Sequence, residues 1–438
     1  MKLKNARILH LGNIANNAYL NAKFLRAHNL KAEVISHDYY DLVATPEWEE
    51  GKNNCPSWFM SGSLAEVADK FGYKDSFSNL LIKKSTKNKI VNFLIQKTNE
   101  KYLKLNRYLN PYYEYLTLNE YWYYKKLCQK FKKYFPQRKD ILTIKDILPY
   151  SKDIRVFKKI FSNYDLIQCY GLEPVYALLS GNRPYIAYEH GTLRNFPFED
   201  SPRGRLAALS YKMANLVFIT NPDNIRAAKK LKLNNFKPIP HPINDCWYKK
   251  SKTIQKKEQV IFCPSRHDWQ EKMSDHLIRA LGKINPKLKQ NLKIIFVKWG
   301  NDLKKSQDLI NKTGLKPLIE WKELLNRQEL SKEIASSDII LDQIKYHGLG
   351  GITAESLLAG KPVLNSYDKK LCEWIFPDSP PIVSVFNEEE ITEELNKLLS
   401  QPELANKIGK QSKVWFKKYH SPETVTNILI SNYRRLLR

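Results

Sequence analysis

Residues able to do chemistry concentrate in a few short stretches of this sequence, and the densest is 342–363. It holds Asp342, Gln343, His347, Gly348, Gly350, Gly351 and Glu355, and closes on Gly360-Lys361-Pro362-Val363. Glycines there let the backbone approach a ligand closely, and a helix starting near Gly351 would aim its free N–H groups at a phosphate. Glu355 falls one turn inside that helix, where a carboxylate can accept both hydroxyls of a ribose. The bland alternative is an ordinary turn before a helix, with Asp342 and Gln343 as its cap. A second stretch, Pro264-Ser265-Arg266-His267-Asp268 followed by Lys272, places two cations just after an apolar run. A third is Glu189-His190-Gly191-Thr192, and a fourth Gly12-Asn13. All four follow short apolar runs, which is where open α/β sheets bind ligands.

The elements that must carry these residues follow from hydrophobic periodicity. Strands are expected at 7–13, 31–37, 164–170, 184–188 and 216–220, separated by helical patterns such as 15–27 and 202–215. Lys249–Lys257 (KKSKTIQKK) is a join of lower complexity. Beyond it the alternation restarts, with strands at 259–263, 293–298, 338–342, 361–365 and 382–386 and a helix at 275–284. The final pattern, Pro422–Leu437, is an amphipathic helix that must pack on something. The expected fold is therefore α/β, with two successive doubly wound, Rossmann-like units. The first spans 1–250 with a helical insertion at about 60–160, the second 251–415, and a terminal helix fills 416–438.

Lys and Arg number 72 against 45 Asp and Glu in 438 residues, a formal charge of +27. That excess favours an anionic partner: nucleic acid, an acidic membrane surface or a phosphorylated small molecule. It is uneven, since residues 83–139 hold 15 Lys/Arg and only three acids. Residues 102–135 add twelve aromatics. Such a mixture suits an anionic lipid interface or base stacking, and equally a helical subdomain whose tyrosines pack inward while its lysines stay solvated. No stretch has the roughly 18 apolar residues of a membrane span, and 1–7 lacks the apolar core of a signal peptide, so a cytoplasmic setting is expected. The six cysteines are scattered without C-x-x-C or Cys/His ligand spacing, so they read as reduced thiols.

The stretch His347–Pro362 (HGLGGITAESLLAGKP) resembles the nucleotide-sugar signature of GT-B glycosyltransferases, specifically the large retaining family four, or group 1. That signature runs Glu, seven residues, Glu, then a small-residue helix ending Gly-Lys-Pro-Val. Glu355 matches its second Glu and Gly360–Val363 its end, whereas His347 stands where the first Glu contacts the donor sugar. The resemblance implies a GT-B fold, with two Rossmann-like domains facing a cleft and a C-terminal crossover helix returning to the first domain. It implies a nucleotide-diphosphate sugar as donor, a saccharide or lipid-linked acceptor, and retention of configuration. Arg266 and Lys272, one residue looser in spacing than the usual form, correspond to the cations on the donor diphosphate, where they would offset leaving-group charge. His190 corresponds to the histidine beside the transferred sugar, and Gly12-Asn13 to the glycine loop near donor and acceptor. His347, Gly348, Gly350, Gly351 and Glu355 complete the expected donor site.

No Asp-x-Asp occurs, so neither a metal clamp nor any other cofactor is expected. The expected function is glycosyl transfer in surface polysaccharide or glycolipid assembly at the inner face of a membrane, with peripheral contact through 83–139 and no nucleic-acid partner. A non-catalytic or nucleic-acid-binding basic protein, or a sugar-nucleotide epimerase on the same fold, are the alternatives.

Overall fold

The structure, a computed structural model, describes residues 3–36, 46–50, 117–181, 184–248 and 258–438. Two six-stranded sheets organise it, and every strand pair in both is parallel. The first is built from β1 (Arg7–Leu11), β2 (Lys31–Ile35), β3 (Leu166–Tyr170), β4 (Tyr185–Tyr188), β5 (Leu216–Ile219) and β6 (Phe236–Pro238), in the order β2-β1-β3-β4-β5-β6. The second contains β7 (Gln259–Cys263), β8 (Leu292–Val297), β9 (Ile319–Lys322), β10 (Ile339–Leu341), β11 (Val363–Asn365) and β12 (Val383–Ser384), in the order β12-β11-β10-β7-β8-β9.

Helices cover both faces of each sheet, so central strands read as continuous apolar runs; β3, β4 and β5 are buried at every position. On one face of the first sheet, Leu9, Ile167 and Val217 pack with helix residues Phe161, Leu178 and Leu209. On the other, Ile8, Leu166 and Ile186 meet Leu20 and Leu25 of the helix Asn17–Ala27. That second face also takes Val425, Leu429 and Tyr433 from the last helix, Pro422–Leu436. Each such side chain stabilises the docking by about 1.5–3 kcal/mol. The Tyr433 hydroxyl also donates to Gln168 Oε1 on β3 at 2.7 Å, so the chain's final helix is bonded to the core of the first sheet.

Each sheet has one point at which its strand order reverses. In the first, the order changes direction between β1 and β3; in the second, between β7 and β10. At these points neighbouring crossovers leave in opposite directions and open a crevice outside the carboxyl ends. The segments that follow β1, β7 and β10 are 12–13, 264–268 and 342–343.

Two elements differ from the sequence-based expectation. The edge strand β9 (IEWK) was not anticipated: its apolar–polar alternation runs for only four residues, and all four are half-buried, as befits an edge. The basic aromatic segment is divided: residues 83–116 lie outside the described residues, as does the join 249–257. Helix Leu118–Tyr134 is described, opened by a capping box between Thr117 and Glu120. It buries Tyr124, Leu127 and Phe131 against the first sheet while leaving Tyr121 and Trp122 exposed.

Candidate functional site

A cleft of about 300 Å³ opens at the carboxyl ends of β7 and β10 and is lined from both domains. The first domain contributes Ala15 and Trp48, the second Ser265, Arg266, Lys272, Trp299, Leu324, Arg327, Gln343, Gly350, Gly351 and Glu355, among others.

The loop after β10 is tied down by Asp342, which is buried. Its carboxylate accepts from the Ser265 hydroxyl at 2.8 Å and from the Thr353 hydroxyl at 2.6 Å. It thereby joins the ends of β7 and β10 to the helix Gly351–Ala359. That helix begins in the cleft wall, with its first N–H groups free for an anion. A Cβ at Gly351 would meet no atom within 4 Å, so the fold leaves open space at that point. Arg266 is held by Asp268 (Nε to Oδ2, 3.1 Å), and Lys272 Nζ lies 3.4 Å from Gln343 Oε1. Burial lowers the Lys272 pKa, partly offset by Asp342, so the ammonium is poorly solvated and suited to an incoming anion.

Glu355 is 2% exposed. Its Oε2 accepts from the Tyr248 hydroxyl at 2.7 Å and its Oε1 from Arg327 Nη1 at 2.5 Å. Burial raises its pKa, opposed by the Arg327 charge. Arg327 in turn donates through Nε to Glu49 Oε2 of the first domain at 3.0 Å. Burial pulls the guanidinium down, and Glu355 and Glu49 more than reverse this, so it stays charged.

His190 follows β4 at the side of the first domain and is not among the cleft-lining residues. Asn17, two positions from the lining residue Ala15, has its amide nitrogen 2.8 Å from His190 Nδ1. An amide nitrogen only donates, so Nδ1 accepts and the ring proton sits on Nε2. Burial, then the Arg194 charge, pushes the His190 pKa down to about 4, which keeps the imidazole neutral at pH 7. The preceding Glu189 is fully buried, accepts from Asn224 Nδ2 at 2.6 Å, and has its pKa raised to about 7 by burial. It fastens the His190 loop to the segment after β5.

Gly12 and Asn13 also lie outside the cleft lining. Gly12 adopts φ 84°, and a Cβ there would stand 2.7 Å from Glu173 Cγ, so glycine is required by the backbone and by that neighbour. Asn13 Oδ1 accepts from Tyr19 N at 3.0 Å, organising the helix start. His347 departs most from the expected site: its ring packs at 5.4 Å from Phe386, and it does not line the cleft, where Gln343 does. Gly348 instead marks close approach of the domains, since its Cβ would lie 3.0 Å from Pro222. Arg266, Lys272, Gly350, Gly351 and Glu355 are thus brought together, whereas His190, Gly12, Asn13, His347 and Gly348 do not line the cleft. Trp48, Glu49, Tyr248 and Arg327 were missed. No local motif marks them, as their partners are distant in sequence.

Among the described residues no three His, Cys, Asp or Glu side chains converge as metal ligands, and no helix is long and apolar enough to cross a membrane.

Residues 247–415 match the family described as glycosyl transferases group 1. Two curated relatives resemble parts of the chain. The lipopolysaccharide glucosyltransferase WaaG of Escherichia coli is 24% identical over 235 residues, covering 52% of this chain and 61% of that protein. An uncharacterised glycosyltransferase of Methanocaldococcus jannaschii is 25% identical over 182 residues, covering 38% of this chain and 45% of that one. The matches thus span about half the length of these relatives. Among solved structures, HepE of Anabaena in complex with UDP-glucose superposes with a TM-score of 0.60 at 13% identity, covering 99% of this chain and 100% of that one. Sucrose-phosphate synthase of Thermosynechococcus elongatus gives 0.60 at 12% identity, over 98% and 99%. At these identities the likeness shows the fold: two Rossmann-like domains facing a cleft, the arrangement called GT-B. More particularly, the segment that resembles the group 1 glycosyl transferases, residues 247–415, is the one that carries Arg266, Lys272, Gly350, Gly351 and Glu355.

Proposed function

We propose that the chain transfers a sugar from a nucleotide-diphosphate donor to a saccharide or lipid-linked acceptor, without a metal and with retention of configuration. The observation that carries this reading is the convergence, in one interdomain cleft, of two cations, a helix N-terminus and a buried carboxylate. Arg266, Lys272 and the N–H groups at Gly350 and Gly351 would hold the diphosphate and offset the charge it gains as the leaving group. Glu355 would accept from the ribose hydroxyls. His190, neutral with its proton on Nε2, would donate to a hydroxyl or ring substituent of the transferred sugar near the first domain. A departing phosphate oxygen would receive the acceptor's proton, so no further base is needed. HepE in complex with UDP-glucose, and with UDP and glucose, supports a nucleotide-sugar donor in this fold.

The setting we propose is surface polysaccharide or glycolipid assembly at the inner face of a membrane. Helix Leu118–Tyr134 presents Tyr121, Trp122, Lys125, Lys126, Lys132 and Lys133 outward. Aromatic rings with lysines beside them suit an anionic headgroup layer, at about 1 kcal/mol per basic residue. Transfer is tested by incubating nucleotide sugars with membrane-derived acceptors in EDTA, following the product's anomeric signal by NMR. Metal-dependent turnover or an inverted product would contradict the finer reading. Failure to float with anionic vesicles would contradict the membrane setting.

A further inference from the structure

The loop after β4 carries more than His190. Arg194 folds back over it: its backbone N–H donates to the Gly191 carbonyl at 3.1 Å, and a Cβ at Gly191 would stand 2.7 Å from Arg194 Nη1. The guanidinium then donates twice to Asp223, on the loop after β5, through Nε at 2.5 Å and Nη2 at 2.9 Å. Beyond that fork it crosses to the second domain and lies over the ring of Tyr346, with Cζ 4.4 Å from the ring centroid. The domains meet again beside Asp223, where Trp374 Nε1 donates to the Pro222 carbonyl at 3.1 Å and Gly348 packs against the Pro222 ring.

Tyr346 is itself tied to both loops that line the phosphate side of the cleft. Its hydroxyl donates to Glu271, the residue before Lys272. Its carbonyl accepts from Gly348 N at 2.9 Å and from the Ser366 hydroxyl at 3.2 Å, which fixes the approach to Gly350 and Gly351. With its charge matched by Asp223, Arg194 is no spare ligand for a phosphate. What it supplies is a planar, doubly bonded link that can stack on an aromatic face. Its charge is felt on both sides of the boundary: after burial it lowers the pKa of His190, and it is the last of several charges acting on Lys272, after Asp342, Arg266 and Asp268.

We propose that Arg194 is a positioning residue for glycosyl transfer: clamped by Asp223 and stacked on Tyr346, it fixes the His190 loop of the first domain against the phosphate loops of the second. This rests on reading the cleft as a nucleotide-sugar site. The stack stabilises the joined arrangement of the domains, in which the sugar meets His190 while the diphosphate meets Lys272. A nucleotide without its sugar makes its contacts in the second domain and gains little from the stack.

The test pairs calorimetric titration with UDP, GDP, dTDP and ADP with turnover of the corresponding nucleotide sugars, using membrane-derived acceptors or water. The proteins are wild type, Arg194→Lys, Tyr346→Leu, Tyr346→Phe and the double variant Arg194→Lys/Tyr346→Leu. A guanidinium over an aromatic ring is worth about 2- to 30-fold, so kcat should fall by that factor in Arg194→Lys and in Tyr346→Leu. The double variant should fall no further than the worse single, because both remove one contact. Tyr346→Phe keeps the ring and should lose less than Tyr346→Leu. Nucleotide Kd should move less than about twofold throughout. Unchanged kcat in either single variant overturns the proposal, as do effects that multiply in the double variant or a nucleotide Kd that rises as far as kcat falls. Each of these leaves the nucleotide-sugar reading intact. A wild type that binds no nucleotide, or binds it and splits no donor, overturns both. Should Tyr346→Leu fail to fold, Arg194→Lys decides by the same split between kcat and nucleotide Kd.

Discussion

Replacing Arg327 with methionine isolates the electrostatic link on which the cleft depends. The substitution roughly keeps the aliphatic volume and removes the one cation that, among the described residues, is bonded to both Glu49 and Glu355, which are 1% and 2% exposed. Removing one partner of a buried ion pair costs about 3–5 kcal/mol, because the remaining charge is left desolvated. Here two carboxylates lose the same partner, so the cost belongs at the upper end at pH 8. It should fall on acidification. Burial already raises the Glu355 pKa, and loss of the guanidinium removes the opposing term. A carboxyl whose folded pKa exceeds its unfolded one holds a proton that the unfolded chain releases. Stability therefore drops as pH rises from the ordinary carboxylate range through the raised folded value. Urea unfolding at pH 5.5 and 8 should show a deficit that grows with pH, and Glu49→Gln in the Arg327→Met background should recover part of it at pH 8. A variant within about 0.5 kcal/mol of wild type at both pH values would show that Arg327 does not stabilise the two buried carboxylates, since ordinary surface changes have effects of that size.

Other outcomes follow from particular contacts. Tyr433→Phe removes the hydroxyl bonded to Gln168 and should cost about 1 kcal/mol in denaturant unfolding, without altering the helical signal in circular dichroism. His10, His267 and His420 are buried, and burial pushes their pKa values down to about 3, 4 and 3 from an ordinary 6.5. Their contribution is complete above pH 6.5 and is lost as pH falls toward those values. Each should lower stability by about 2 kcal/mol between pH 6.5 and 5, and His420→Leu should flatten the measured slope accordingly. Asn17→Ala releases Nδ1 of His190 and should reduce kcat about fivefold with little change in donor KM, the loss expected of one hydrogen bond.

How much of this was legible in the sequence depended on whether the signal was local. The strand β7 has the bounds its apolar run predicts, and the strands and helices around Gly12, His190 and Arg266 lie within a few residues of expectation. Glu355 could be read because it sits inside a contiguous motif. Its controlling partners could not: Arg327 and Glu49 are separated by 278 positions, and a lone Arg or Glu in a charged chain carries no sign of burial. His347 occupied the expected position in the motif, yet side-chain direction is settled by packing, here against Phe386, which spacing does not encode. In helix Leu118–Tyr134 the aromatics divide by helical face, Tyr124 and Phe131 inward and Tyr121 and Trp122 outward, so composition alone left both readings open.

We read the interdomain cleft as a donor site for a nucleotide-diphosphate sugar. Calorimetric titration with UDP-, GDP-, dTDP-, ADP- and CMP-sugars in EDTA, wild type beside Glu355→Ala, tests it most directly. Saturable binding of one base family by the wild type, lost in the variant, is the expected result. Wild-type affinity that survives Glu355→Ala unchanged, or no binding of any donor, would contradict it.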